Sequence, residues 1–200
     1  VTGEVEVAGF SEYVHPLDAD NLITIGRIRG NVQLQLFDVS RASPVRSPQE
    51  VVADYFNESA AGKDPRKFNF SQEYAIASFP IRPRDTRYNW YARYGQNKML
   101  NYNASADEGI TLNSEIVHNC RSGYYYAAPC ARGQAEMLRT IVEEDVSFIL
   151  SEVGVSAHQL PSYDLIDFTS FSSRVPFVVD ITRPQEDGAG GAGGAGAINR

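Results

Sequence analysis

Histidine, cysteine and tryptophan are scarce in this chain, and their scarcity narrows its chemistry. Three histidines, no two of them close in sequence, supply no His-Glu-x-x-His pair for a catalytic zinc. There is no Gly-x-Ser-x-Gly elbow and no glycine-rich phosphate loop after a strand. Basic residues are outnumbered: the formal charge is −7 and the pI about 5.0. Nucleic acid would need a positive face, and anionic lipid would repel this one. No apolar run approaches the roughly 18 residues that a membrane-crossing helix requires. Neither a Met, a basic n-region nor an apolar h-region opens the chain at Val1. The expectation is that an export signal was removed or is encoded upstream.

What the chain does have is β-forming material. Its 200 residues are 42% hydrophobic, enough for one domain with a real core. Eleven Tyr and ten Phe suit sheet surfaces. Cys120 and Cys130, with nine residues between them, lie in the polar, tyrosine-rich stretch NCRSGYYYAAPC. A disulfide closing this short loop is the favoured reading. Two free thiols, or a metal site recruiting His118, are the alternatives, and the metal site lacks a fourth ligand. Asn57-Glu-Ser, Asn69-Phe-Ser and Asn103-Ala-Ser are glycosylation sequons. Asn57 leads them, because it precedes a polar loop. Disulfide and sequons together predict a secreted or cell-surface protein.

Short alternating runs punctuated by turns fill most of the sequence. Glu4–Val7, Tyr13–Leu17, Leu22–Arg27 and Asn31–Ser40 read as strands, Ser43–Pro48 as loop and Glu50–Phe56 as an outer strand. The order returns in Lys67–Phe70, Glu73–Phe79, Trp90–Tyr102 and Gly109–His118. It returns again in Met137–Val142, Val146–Leu150 and Gly154–Leu160, with Glu143-Glu-Asp145 as a hairpin tip. Helix formers from Ala135 to Glu144 offer a helical alternative, and the match to the other rounds favours the hairpin. The repeat is degenerate, with loop insertions of which the cysteine loop is the largest. Residues 1–183 form the strand-rich body, and residues 184–200 are a Gly/Ala tail.

Two stretches carry a family resemblance. Gly9-Phe-Ser-Glu-Tyr-Val-His-Pro-Leu-Asp-Ala-Asp-Asn-Leu-Ile-Thr-Ile-Gly-Arg27 and Val32-Gln-Leu-Gln-Leu-Phe-Asp-Val-Ser40 resemble the secreted proteins with a C-terminal β-propeller domain. Arg139-Thr-Ile-Val142 and Val153–Leu160 look like that domain's last strands. The likeness covers about residues 3 to 168, dense in the first forty and thin from Phe79 to Met137. The cysteine–tyrosine stretch departs from the family, which has a shorter connection there. The resemblance implies an all-β propeller segment of roughly three four-stranded blades, an exported location, and binding or scaffolding work. It brings no catalytic residue.

The remaining polar residues read as architecture. Asp38 closes a strand before Val-Ser, where a carboxylate accepts turn amides. His15, next to Pro16, is expected to bond neighbouring backbone. Asp18-Ala-Asp-Asn21 lacks the Gly and distal Glu of a calcium loop. Tyr88, Trp90, Tyr91, Tyr94, Tyr124, Tyr125 and Tyr126 form a candidate binding surface, with packing of the long insertion as the alternative. The Gly-Ala-Gly tail reads as a linker, or as a segment held by neighbouring chains. No cofactor and no metal are expected. The leading function is a non-enzymatic extracellular structural or adhesive module acting through protein–protein contacts, as a subunit of a fibre or surface assembly. The alternative is a carbohydrate-binding or hydrolytic propeller with its site at blade-top loops or the central channel. A sandwich domain that binds a protein partner is a third reading. Fewer than three full blades cannot close a ring, so the remaining blades are expected on the same gene product or on another chain.

Overall fold

Asp18 sets the first turn. Its Oδ1 accepts the backbone N–H of Asp20 and Asn21, both at 2.8 Å, and the Asn21 amide Nδ2 adds bonds of 3.0 Å. This bend joins β1 (Phe10–Pro16) to β2 (Asn21–Ile28). Arg29 and Gly30, with φ of 49° and 88°, then make the tight reversal into β3 (Asn31–Asp38). Two successive positive φ angles match the twist of a two-residue hairpin. Asp38 ends the strand by accepting the Ser40 amide at 2.9 Å and the Ser40 hydroxyl at 2.6 Å. It is architectural, as its sequence context predicts.

The structure is a computed structural model and describes residues 9–40, 45–52, 57–83, 97–120, 134–171 and 177–184. Within these residues the chain forms three antiparallel sheets. The first runs β1-β2-β3-β4, with β4 at Val45–Val52. The second comprises β5 (Asn57–Ser59), β6 (Asn69–Ser71), β7 (Ile76–Pro83), β8 (Lys98–Ser105), β9 (Gly109–Cys120) and β14 (Phe177–Thr182). Its order is β14-β9-β8-β7-β5, with β6 also on β7. The third is a meander of β10 (Met137–Glu143), β11 (Val146–Ser151), β12 (Gly154–Gln159) and β13 (Asp164–Ser170). The all-β, repeated-sheet expectation holds.

Several local expectations need correction. The Ser43–Pro48 loop is in large part strand, because β4 starts at Val45 opposite Asp38. Pro48 has no N–H to give the ladder, and it sits where the register shifts between Gln35 and Phe37. Lys67–Phe70 is not one strand. Asp64 caps a single 3-10 turn at Pro65–Lys67, and only then does β6 begin. β7 starts at Ile76, since Ala75 at φ 51° ends a turn. The Glu144–Asp145 hairpin is present, with Glu144 at φ 51°, and the helical alternative falls. The expected strand Glu4–Val7 and the tail beyond residue 184 lie outside the described residues.

The second sheet lies between the other two. Alternate residues along its strands face opposite ways. Ala77, Phe79, Ile81, Leu100 and Tyr102 join Ile23, Ile25, Leu34 and Leu36 in one core. Ile76, Met99, Ile116, Phe177 and Val179 join Met137, Ile149, Val153, Leu160 and Tyr163 in another. β14 follows the third sheet in sequence yet completes the second, pairing Val179 with His118.

Candidate interaction surface

Burial along the strands distinguishes one sheet face from the rest. In β7 the first six residues, Ile76–Ile81, are all buried, and so are Val32–Phe37 in β3. Both faces of those strands are covered. Along β11 and β12 burial instead alternates at every residue. Ser147, Ile149 and Ser151 of β11, with Gly154, Ser156 and His158 of β12, point into the core. Val146, Phe148 and Leu150, with Val155 and Ala157, point away and are only half-buried. The polarity of a half-covered strand is largely inverted here: apart from Ile149, serines and a histidine go in while Val146, Phe148, Leu150 and Val155 face out.

Cross-strand register gathers the outward residues. Ile141, Phe148 and Ala157 form one row, and Arg139, Leu150 and Val155 the next. Ile141 is 39% exposed. Ile166, at the bulge opposite Ala157 and His158, is 53% exposed. A depression of about 150 Å³ lies among Phe148, Val155, Ala157, Asp167, Phe168 and Thr169. The far face of the first sheet differs in kind, since Thr24, Gln33, Gln35 and Phe37 are all buried there.

Two of the inward serines, Ser151 and Ser156, make a hydrogen-bonded chain with His118 and His158 across the seam between the second and third sheets. His118 Nδ1 lies 2.8 Å from Ser151 Oγ and its Nε2 2.8 Å from Ser156 Oγ. Ser156 Oγ lies 2.7 Å from His158 Nε2, and His158 Nδ1 meets the Tyr163 carbonyl at 3.2 Å. Burial pushes His118 down to about 3, and the neighbouring His158 adds to this. Burial likewise pushes His158 down to about 4, with the Arg183 charge lowering it further and the Tyr163 carbonyl opposing. Alongside, Ser78 Oγ donates to Asn101 Oδ1 at 2.8 Å and lies 3.1 Å from the Tyr163 hydroxyl.

Of the residues singled out by sequence, His118 is not a metal-ligand candidate, because hydroxyls occupy both of its nitrogens. His15 pairs with the Tyr13 hydroxyl at 3.1 Å rather than with backbone, and its ring lies against Phe68 and Phe70. Desolvation lowers its pKa. Cys120 is buried at the end of β9, while Cys130 lies outside the described residues, as do Tyr88, Trp90, Tyr91, Tyr94, Tyr124, Tyr125 and Tyr126. All three sequon asparagines stand in strands, Asn57 in the edge strand β5. Asn57 is 2% exposed and cannot present its amide to a glycan, which removes the leading acceptor. Asn69 Nδ2 donates to the Thr140 carbonyl at 3.1 Å, and Asn103 Nδ2 reaches Thr111 Oγ1 only at 3.5 Å. Ser151, Ser156 and His158 escaped sequence reading, although the Ser-x-His spacing at 156–158 places both on one strand face.

Successive antiparallel sheets packed face to face are the build of propeller blades. A family model described as Beta propeller domain matches residues 1–163, and the chain belongs to that family. An uncharacterized protein of Archaeoglobus fulgidus is 37% identical over 59 residues, 29% of this chain. The match spans 10% of that relative's length. No solved structure matches the chain.

Proposed function

We propose that this chain is a non-enzymatic, extracellular structural or adhesive propeller module that works through protein–protein contacts, as a part of a fibre or surface assembly. The observation that carries it is the inverted polarity of the third sheet. Val146, Phe148, Leu150 and Val155 gain nothing by facing water, whereas contiguous apolar patches mark contact sites. The two seams already present are sheet-on-sheet, and this face continues the stack beyond the third sheet. Its partner on this reading is a further blade, from the same gene product or another chain. Export is part of the proposal, supported by the cysteine pair and by the sequons at Asn69 and Asn103.

Sedimentation velocity of the protein and of a Phe148→Lys/Val155→Lys variant tests the surface. The wild type is expected to self-associate with rising concentration and to bind a hydrophobic dye. The variant is expected to stay monomeric with an unchanged circular-dichroism melt. A wild type that remains monomeric and dye-free at high concentration overturns the reading.

A further inference from the structure

The seam between the second and third sheets has a feature that its neighbour lacks. The first seam is built from Phe68, Phe79, Tyr102 and aliphatic side chains. The second carries two fully buried imidazoles in series.

Chemistry fixes the direction of the hydrogen bonds along that series. The Tyr163 carbonyl only accepts, so His158 carries its proton on Nδ1 and accepts at Nε2. Ser156 must then donate to His158, and its oxygen receives the Nε2–H of His118. His118 Nδ1 is left as an acceptor for the Ser151 hydroxyl, whose oxygen takes the Val153 N–H at 3.3 Å. Every donor and acceptor is used while both rings are neutral.

One added proton has a place. If His118 Nδ1 takes it, the Ser151 hydroxyl turns to the Gly154 carbonyl, 3.3 Å away. A second proton has none. With both rings charged, Ser156 receives an N–H from each side, and its own hydroxyl has no further acceptor among the described residues. Two cations would then flank one oxygen. The groups facing them are the hydroxyls, the Phe177 ring of β14 at 4.6 Å from His118, the Tyr163 ring at 6.2 Å from His158, and Arg183, already paired with Asp164 at 2.7 Å. Among the described residues no carboxylate pairs with either imidazole.

We propose that Ser151, His118, Ser156 and His158 form a pH-sensitive clasp, which holds the third sheet on the second when neutral and releases it on acidification before the first sheet loosens. The sign follows from linkage. Both histidines are depressed in the folded state, so stability is complete above the ordinary value of 6.5. It falls as pH drops below that, because only the unfolded state then binds protons. Each histidine lowers the folded-to-unfolded ratio by up to about tenfold per pH unit, and the pair by up to about a hundredfold, until pH nears the folded values.

The test combines long-range proton–nitrogen NMR of the ¹⁵N-labelled protein with amide exchange at pH 7.5 and 5.0, corrected for intrinsic rates. The expected result at pH 7.5 is the Nδ1–H tautomer for His158 and Nε2–H for His118. At pH 5.0, amides of β10–β13 should lose at least tenfold more protection than those of β2 and β3. A His118→Phe/Ser151→Ala variant should take up about one proton fewer on unfolding. Should that variant not fold, the wild-type measurements still decide. The opposite tautomers, an imidazole titrating near 6.5, or equal loss of protection in the first and third sheets would each overturn the proposal.

Discussion

Phe177 packs against His118 with ring centroids 4.6 Å apart and planes tilted by 32°. It reaches that position because residue 154 has no side chain. A Cβ there would stand 2.4 Å from Phe177 Cε1 and 2.3 Å from the Thr169 carbonyl oxygen. One contact is an aromatic ring wedged between sheets and the other is backbone, so neither yields cheaply. β14 thus owes its seat in the second sheet to a glycine in the third.

Replacing that glycine is therefore a sharp test of the seam. Gly154→Ala should lower stability by about 2 kcal/mol, the usual range for overpacking a tight core. Urea unfolding monitored by circular dichroism measures it. An unchanged midpoint would mean that β14 does not pack as described.

The cysteine pair gives a second expectation. Cys120 ends β9 directly opposite Phe177, in the same seam. A bond from Cys120 to Cys130 would close a short loop and stabilise the fold by roughly 2–3 kcal/mol through the unfolded state. Intact mass after alkylation without reductant should show no added label. Two labels on the native protein would rule the bond out.

Much of this architecture was legible in the residues, and the failures have physical causes. Turn chemistry marked the boundaries well: Asp38 and Glu144-Asp145 turn where they were expected to. Pro48 misled, because proline reads as a strand breaker while a bulge lets the strand continue past it. β14 was invisible as part of the second sheet, since its pairing with β9 is set by packing across some sixty intervening residues. The third sheet was the most instructive. Alternation in Val146–Ser151 and Gly154–Gln159 gave the strands, but hydrophobicity alone assigns their faces the wrong way round. Ser151, Ser156 and His158 go inside because they and His118 satisfy one another there, a pairing that needs three strands of two sheets together. The aromatic set proposed for binding falls outside the described residues, and the apolar face took its place.

The first seam should behave in the opposite manner to the clasp. Phe79 is fully buried and nearly parallel to both neighbours, 6.2 Å from Phe68 at 13° and 5.9 Å from Tyr102 at 6°. Phe79→Ala removes the middle ring of this column and leaves a void that Ile23, Ile25 and Leu34 cannot fill from a neighbouring sheet. The cost should be about 3–5 kcal/mol, as for other buried Phe truncations, and Phe79→Leu should recover more than half of it. Among the described residues the imidazole beside this column is that of His15, half-buried at its edge, and desolvation lowers its pKa. The Phe79→Ala penalty should therefore be the same at pH 7.5 and pH 5.5, whereas penalties from variants at His118 or Ser156 should change with pH. Urea titrations at both values separate the two seams. A strongly pH-dependent penalty at Phe79 would show that the two seams are coupled, the first changing proton uptake by the histidines of the second.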